Sequence, residues 1–307
     1  MNQENRPGYR LALALLFITP ALWSVNYLVG RSAPGVIEPN TLALLRWLMA
    51  SVLFSFGARN ELWAHRHHIA ADWKHFVVLG ALGMWICGAW VYIGARSTGA
   101  VNISLIYSVS PVLIAASSAW WLKERFRPLQ ACGLALALAG VFHVIVKGQW
   151  NALQAVEFVA GDGWIVAAAL SWTAYSVLLK RWPSPLGPAA RLAVISLAGV
   201  LVLLPFALWE ALHNPLPILT LHGVGLALAA ALLPGYGAYL AYSVMQRELG
   251  AAKVGVALYL SPIYAAVMAW LFLGEPLLPY HAWGMALVLP GIYLVTREST
   301  LHQSPKR

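Results

Sequence analysis

Ten apolar stretches, each long enough to cross a bilayer as a helix, divide the chain and leave little between them. They run over residues 11–30, 41–58, 75–95, 99–122, 129–147, 162–180, 188–209, 221–246, 252–273 and 279–296. A hydrocarbon core about 30 Å thick takes roughly 20 helical residues, so ten crossings use most of a chain of 307. Side chains are 60% hydrophobic and 10% charged, against about 45–50% and 25% in soluble domains. The pattern predicts an all-α integral membrane protein of ten transmembrane helices with short connections, and it excludes an ordinary cytosolic fold. Cys87 and Cys132 both fall inside apolar runs, which argues against a disulfide framework or a Cys-based metal site. A cleaved leader over 11–28 is not expected, although Arg6 and Arg10 precede it. No small-x-small pattern follows Trp23, and more spans come after.

The formal charge of +9 raises the question of nucleic acid, which the distribution of the basic residues answers. Ten spans sort the connections into two alternating sets. The set containing both termini holds Arg6, Arg10, Arg59, Arg66, Lys74, Lys123, Arg125, Arg127, Lys180, Arg181, Arg191, Arg247, Lys253, Arg297, Lys306 and Arg307; the other holds Arg31, Arg96 and Lys147; Arg46 lies inside a span. Basic residues concentrate on cytoplasmic connections. Both termini are therefore expected in the cytoplasm, and the charge needs no nucleic-acid partner. His65, His67 and His68 belong to the same basic connection and read as a solvated loop rather than a metal site, since no acidic or Cys ligands accompany them.

The two halves repeat. At an offset of 151, Arg96, Gly99, Ala100, Ser110, Pro111, Glu124, Pro128, Gly133 and Gly140 map onto Arg247, Gly250, Ala251, Ser261, Pro262, Glu275, Pro279, Gly284 and Gly291. A shorter echo joins Trp23 to Trp172 and Arg46 to Arg191. Five spans per repeat is an odd number, so the second copy crosses in the opposite sense. The charges agree: Lys123, Arg125 and Arg127 map onto Gly274, Pro276 and Leu278 at the other end of the bundle. The repeat units are expected at 1–153 and 154–307. Inverted repeats are common in secondary transporters, which place a central site at the repeat interface; the alternative is duplication as an economical way to build a bundle.

Gly99-Ala100, Ser110-Pro111, Leu122-Lys123-Glu124-Arg125, Gly133 and Gly140-Val141, with their second copy at Gly250-Ala251, Ser261-Pro262, Leu273-Gly274-Glu275, Gly284 and Gly291-Ile292, resemble the repeat unit of EamA-type transporters of the drug/metabolite transporter superfamily. Trp23 and Arg46 also stand where that family usually has a tryptophan and an arginine. The resemblance covers nearly the whole chain. It implies a ten-helix exporter of small metabolites in the bacterial inner membrane, with amino acids of the neutral and aromatic type as the favoured substrates. Exporters of aromatic or cationic drugs remain the alternative within the same family.

Ser110-Pro111 and Ser261-Pro262 fall near the middle of their spans, where each proline removes an N–H and frees the carbonyls of Tyr107 and Leu258. Such kinks either bend toward a shared cavity or are satisfied by a neighbouring helix. Trp23, Trp85, Trp90, Trp172, Tyr107, Tyr236, Tyr239, Tyr259 and Tyr264 lie well inside spans, and their N–H and O–H groups need partners in a dry medium. With Asn26, Asn102, Ser110 and Ser261 they are the candidate substrate contacts, in a cavity walled by spans one, three, four, six, eight and nine. Cation–π attraction would suit an organic cation there. Each also has an ordinary packing role, and Tyr9, Trp63, Trp73, Trp150 and Tyr280 are assigned to interfacial belts.

Arg46, the one charge clearly within a span rather than at its edge, reads either as a ligand for a substrate carboxylate or as a structural cation. His143 is the candidate proton site, with a carbonyl-bonded histidine as its plainer reading. No Asp or Glu occupies the middle of a span, so a carboxylate proton relay is not expected and uniport is the favoured mode. No His-Glu-x-x-His motif, paired in-span aspartates or Walker glycine loop supports an enzyme. No cofactor or metal is expected. The anticipated partners are a small-molecule solute and the lipid bilayer, and the chain is expected to act as a monomer; a non-transporting receptor or assembly protein is the remaining class.

Overall fold

A computed structural model describes residues 7–124, 127–214, 220–273 and 276–296. Arg125, Gly274 and Glu275, used above to trace the repeat, and the terminal Arg6, Arg297, Lys306 and Arg307 lie outside the described residues.

Among those residues the chain makes ten antiparallel helical passes. They are α1 (Pro7–Ser32), α2 (Pro39–Ala64), α3 (Trp73–Gly94), α4 (Asn102–Trp121), α5 (Pro128–Ile145), α6 (Ala160–Arg181), α7 (Pro188–His213), α8 (Leu221–Leu249), α9 (Ala251–Gly255, Val256–Leu260 and Ser261–Leu273 end to end) and α10 (Pro279–Thr296). Eight are long and apolar enough to cross a membrane, and Ala251–Val267 is a shorter apolar helix. Helices α2, α5, α7 and α10 each open on proline, as α1 does at Pro7, and proline's missing N–H is one the first turn would leave unpaired anyway. Large apolar side chains such as Phe56, Trp120 and Leu212 face outward, as a lipid-facing surface requires. Tyr9, assigned to an interfacial belt, is instead buried in the core.

The packing is symmetric under exchange of the two halves. Helix α2 lies along α7 and α5 along α10; α1 packs on α8 and α9 as α6 packs on α3 and α4. The α5–α10 crossing is drawn tight by the repeated glycines. A β-carbon at Gly133 would stand 2.7 Å from the carbonyl oxygen of Gly291, and one at Gly140 would stand 2.8 Å from that of Gly284. Small residues of this kind let helix backbones approach where lipid offers no hydrophobic driving force.

A pair of carboxylates locks α2 against α7. At one end Glu210, near the finish of α7, accepts from the backbone N–H groups of Asn40 and Thr41 at 3.1 and 2.8 Å, and from their side chains at 2.9 and 3.1 Å. At the other end Glu61, near the finish of α2, accepts from Gly187 N at 2.5 Å, just before α7 begins. These acids stand in for the missing partners of first-turn N–H groups and sit at the positive pole of the opposing helix. Their spacing, like that of Pro39 and Pro188, is 149, the offset of Trp23 and Trp172. That register corrects one sequence pairing. Arg46 stands about two turns into α2 and Arg191 less than one turn into α7, so they are not symmetry mates.

Two interruptions recur in both halves. Helix α3 widens into a π-helical segment at Ala81–Ile86 and α8 does so at Ala231–Gly237. Helix α4 breaks at Val109, before Ser110-Pro111, and α9 tightens into a 3-10 turn at Val256–Leu260, before Ser261-Pro262. The π segment of α3 frees carbonyls for other helices: Leu82 O accepts from Ser171 Oγ at 2.8 Å and Gly83 O from Tyr239 OH at 3.0 Å.

The glycine crossing supplies a test. Gly140→Leu must force α5 from α10 and is expected to destabilise the bundle by about 1–3 kcal/mol, read as a lowered melting temperature of the detergent-solubilised protein. The lipid-facing change Val52→Leu, at an exposed position, should leave it unmoved.

Candidate functional site

Helical spacing gathers aromatic rings from three helices at the bundle centre. Trp172 and Tyr175 on α6, and Tyr239 and Tyr242 on α8, are each three residues apart and so share a face. Trp23 of α1 meets Trp172 edge-on at 5.5 Å and Tyr242 at 5.5 Å; Trp172 lies 5.6 Å from Tyr239, 4.9 Å from Tyr242 and stacked 5.4 Å from Tyr175. Trp47 of α2 closes the group, 4.7 Å from Tyr239.

Arg46 borders this aromatic box. Its guanidinium lies over the Trp47 ring at 4.7 Å, and Nη1 donates to Asn26 Oδ1 at 3.3 Å and to Tyr92 OH at 3.4 Å. Tyr92 OH itself donates to Asn26 Oδ1 at 2.5 Å. The π segment of α8 brings Gly235 alongside the Arg46 side chain. Arg46 is 4% exposed, yet among the described residues no carboxylate pairs with it and its Nε has no acceptor. Trp47 Nε1, Trp172 Nε1 and Tyr175 OH are likewise buried without partners. Leaving one buried donor unpaired costs about 1–3 kcal/mol, and several such donors border this one box.

The remaining sequence candidates disperse. Ser24, next to Trp23, donates to Pro20 O at 2.8 Å and to Ser261 O at 3.4 Å, which ties the α9 kink to the box. Ser110, preceding Pro111, is fully buried with an unpartnered hydroxyl. Tyr107 OH lies 4.0 Å from Cys87 Sγ. Trp85 turns to α7, stacked 4.2 Å from Phe206 and edge-on to Trp90 at 5.5 Å, and is not part of the box. Tyr259 is buried in a separate cluster with residues of α5 and α10.

Asn102 and His143 lie at the end of the bundle, away from its centre. Asn102 donates to Glu157 O at 2.9 Å and to Asp162 Oδ2 at 2.9 Å, while Asp162 Oδ1 accepts from Thr98 Oγ1 at 2.5 Å. Val159 N completes the carboxylate's set at 2.8 Å. Asp162 thus caps α6 and fastens it to α4 and to the connection between α3 and α4. The ring of His143 lies beside Gly148 and 6.1 Å from the ring of Trp150 in the connection after α5. Sequence reasoning missed Trp47, Tyr92, Tyr175 and Tyr242. The three-residue spacing within α6 and α8, and the match of Trp172 and Tyr175 to Trp23 and Asn26 at 149, were the available signals. Among the described residues no group of three or more His, Cys, Asp or Glu is placed to hold a metal.

The model of the EamA-like transporter family matches residues 10–146 and again 159–297, one match to each set of five helices. The chain belongs to the EamA-like transporter family. An uncharacterized transporter of Archaeoglobus fulgidus is 25% identical to this EamA-like protein, over 92% of this chain and 96% of that one. The transporter YyaM of Bacillus subtilis is 27% identical over 92% of each. An S-adenosylmethionine/S-adenosylhomocysteine transporter of Chlamydia trachomatis is 25% identical over 95% of this chain and 91% of its own. A crystal structure shares the fold at a TM-score of 0.74 and 20% identity, covering 93% of this chain and 96% of its own. This EamA-like chain is therefore a multi-pass membrane transporter for a small molecule.

The Asp162 junction yields a prediction. Thr98→Val removes the donor to Asp162 Oδ1 and is expected to cost about 1.5–3 kcal/mol, as a hydrogen bond to a charged group does. Thermal unfolding in detergent should show the loss, and Thr98→Ser, which keeps the hydroxyl, should restore most of it.

Proposed function

We propose that this transporter exports zwitterionic small metabolites by alternating access, with neutral and aromatic amino acids as the substrate class. The supporting observation is Arg46: a buried guanidinium without a counter-ion, at the edge of an aromatic box. A carboxylate would supply the missing charge and accept from the free Nε–H. The aromatic part of the solute would lie among Trp23, Trp172, Tyr239 and Tyr242.

The S-adenosylmethionine/S-adenosylhomocysteine relative from Chlamydia trachomatis widens this class without changing its chemistry. An amino-acid carboxylate joined to a purine and a sulfonium offers the same arginine and the same rings a partner. A drug exporter acting on carboxylate-free aromatic cations is the second reading, favoured by the rings alone.

The reading includes location and mode. The repeats are units 1–153 and 154–307 in opposite orientation. The end of the bundle bearing Arg66, Arg181 and Arg247 faces the cytoplasm of the bacterial inner membrane, as do both termini. The chain acts as a monomer. Transport is uniport: the buried acids Asp162 and Glu210 are bonded near helix ends and His143 lies by a connection, so none of the three stands at the centre.

Counterflow in proteoliposomes tests the substrate. L-Tryptophan, L-phenylalanine and S-adenosylmethionine should exchange while tryptamine, which lacks the carboxylate, should not. Arg46→Gln should slow L-tryptophan exchange by about 10- to 100-fold, the equivalent of a lost charged hydrogen bond. Equal exchange of tryptamine, unaltered by Arg46→Gln, would instead establish the drug reading. Orientation is read separately. A cysteine at position 66 should resist an impermeant thiol reagent in intact cells, and labelling there would reverse the assignment. Flux that requires a pH gradient and vanishes in His143→Ala would replace uniport by proton coupling.

A further inference from the structure

A cavity of about 350 Å³ opens among the end of α6, the 182–187 connection, the start of α7 and the end of α8. Its volume lies within the range of small-ligand sites. Lys180, Arg191 and Arg247 line it together with Ser184, Ser243 and Gln246, and among the described residues no acidic one does. Three cations around one concave space with apolar walls of Leu179, Leu192 and Ile195 create a field that an anion would relieve.

The partners of these groups show what is missing. Arg191 donates through Nη2 to Trp182 O, which fixes the guanidinium, but its Nε has no acceptor. Ser243 Oγ is also buried and unpartnered. Gln246 is held by its bond to Ser176 O at 2.7 Å. Among the described residues neither Arg191 nor Arg247 forms an ion pair with a carboxylate.

The inverted repeat sharpens the point. At the opposite end of the bundle the counterpart of Arg247 is Arg96, which is ion-paired to Glu38. By the offset of 149, the residue standing in for Glu38 is Gly187, whose N–H is taken by Glu61. The acid that neutralises one end has no equivalent at the other, and Arg191 adds a further cation where α2 has Leu42.

We propose that this cavity is an oxyanion-binding site, in which Arg191, flanked by Lys180 and Arg247, takes the carboxylate or phosphate of a molecule entering from the basic end of the bundle. Arginine suits the role because its planar fork binds either group through two parallel hydrogen bonds. Ser243 supplies a hydroxyl donor. Leu179, on the wall, is one helical turn from Tyr175 of the aromatic box, so the oxyanion site adjoins the central box. The same chemistry serves two sources, a carboxylate-bearing solute and the phosphate of a lipid headgroup. The site stands whichever solute crosses the membrane.

The test uses purified full-length protein with Cys87 and Cys132 replaced by serine and one reporter, Ser243→Cys, reconstituted in phosphatidylcholine nanodiscs. Anionic and cationic methanethiosulfonate reagents of matched size are compared by rate. The anionic reagent should react about tenfold faster, as electrostatic focusing allows, and adding Arg191→Gln should bring the two rates within about twofold of each other. Ser184→Cys, on the same wall, is the second reporter and guards against a variant that does not fold. Protection by L-tryptophan or inorganic phosphate assigns the site to a soluble molecule. Protection only when phosphatidylglycerol is added assigns it to a lipid headgroup, and both support an oxyanion site. Equal rates for the two reagents at both reporters, or an anionic preference that Arg191→Gln leaves intact, would overturn it. Because modification is read without flux, a failure of amino-acid counterflow would leave this result standing.

Discussion

A backbone group inside hydrocarbon must find its hydrogen-bond partner within the protein, because no water is there to supply one. That constraint explains more of this molecule than any side-chain contact. It makes every crossing helical, and it makes each helix start a liability that some other part of the chain must meet. Glu210 and Glu61 meet it for α2 and α7, Asp162 for α6, and proline removes an N–H at the first turns of α2, α7, α5 and α10. Acidic residues, scarce in the sequence, are concentrated where a helix would otherwise begin unpaired.

The same constraint converts interruptions into contacts. A π-helical turn shifts carbonyls out of the ladder, and in α3 those of Leu82 and Gly83 are taken by Ser171 and Tyr239 from α6 and α8. The box is thus bonded to the backbone of the helix that walls it. The equivalent widening in α8 lies against Arg46. π-Bulges are frequent at functional sites, and here both copies border the centre of the bundle, where a change of helix path would be felt by the aromatic rings.

The two halves pack alike, yet the two ends of the bundle carry different chemistry. At one end Arg96 has Glu38, and Asp162 gathers Thr98 and Asn102 into a closed junction. At the other a cavity holds three cations and, among the described residues, no acid. Small differences in side chains between equivalent places are enough to make the two ends of a symmetric bundle unequal.

The sequence determined the all-helical membrane architecture, the repeat and the family resemblance, because each depends on the order of apolar and charged residues or on motifs that survive at a fixed offset. Gly133, Gly140, Gly284 and Gly291 were legible as repeated residues, and their meaning as a close crossing follows from helix packing. The candidate site was legible only in part. Trp23, Asn26, Trp172, Tyr239 and Arg46 come together, whereas Trp85, Asn102, Tyr259 and His143 sit in other neighbourhoods. Depth along a span can be counted from sequence, but the direction a side chain faces depends on helix rotation and on the partner opposite. The π segment of α3 has no proline to announce it, and it rotates everything that follows. Only the tertiary structure could therefore decide that Tyr92 and Asn26 would hold Arg46, that Trp47 would lie beneath it, and that no carboxylate among the described residues would answer its charge.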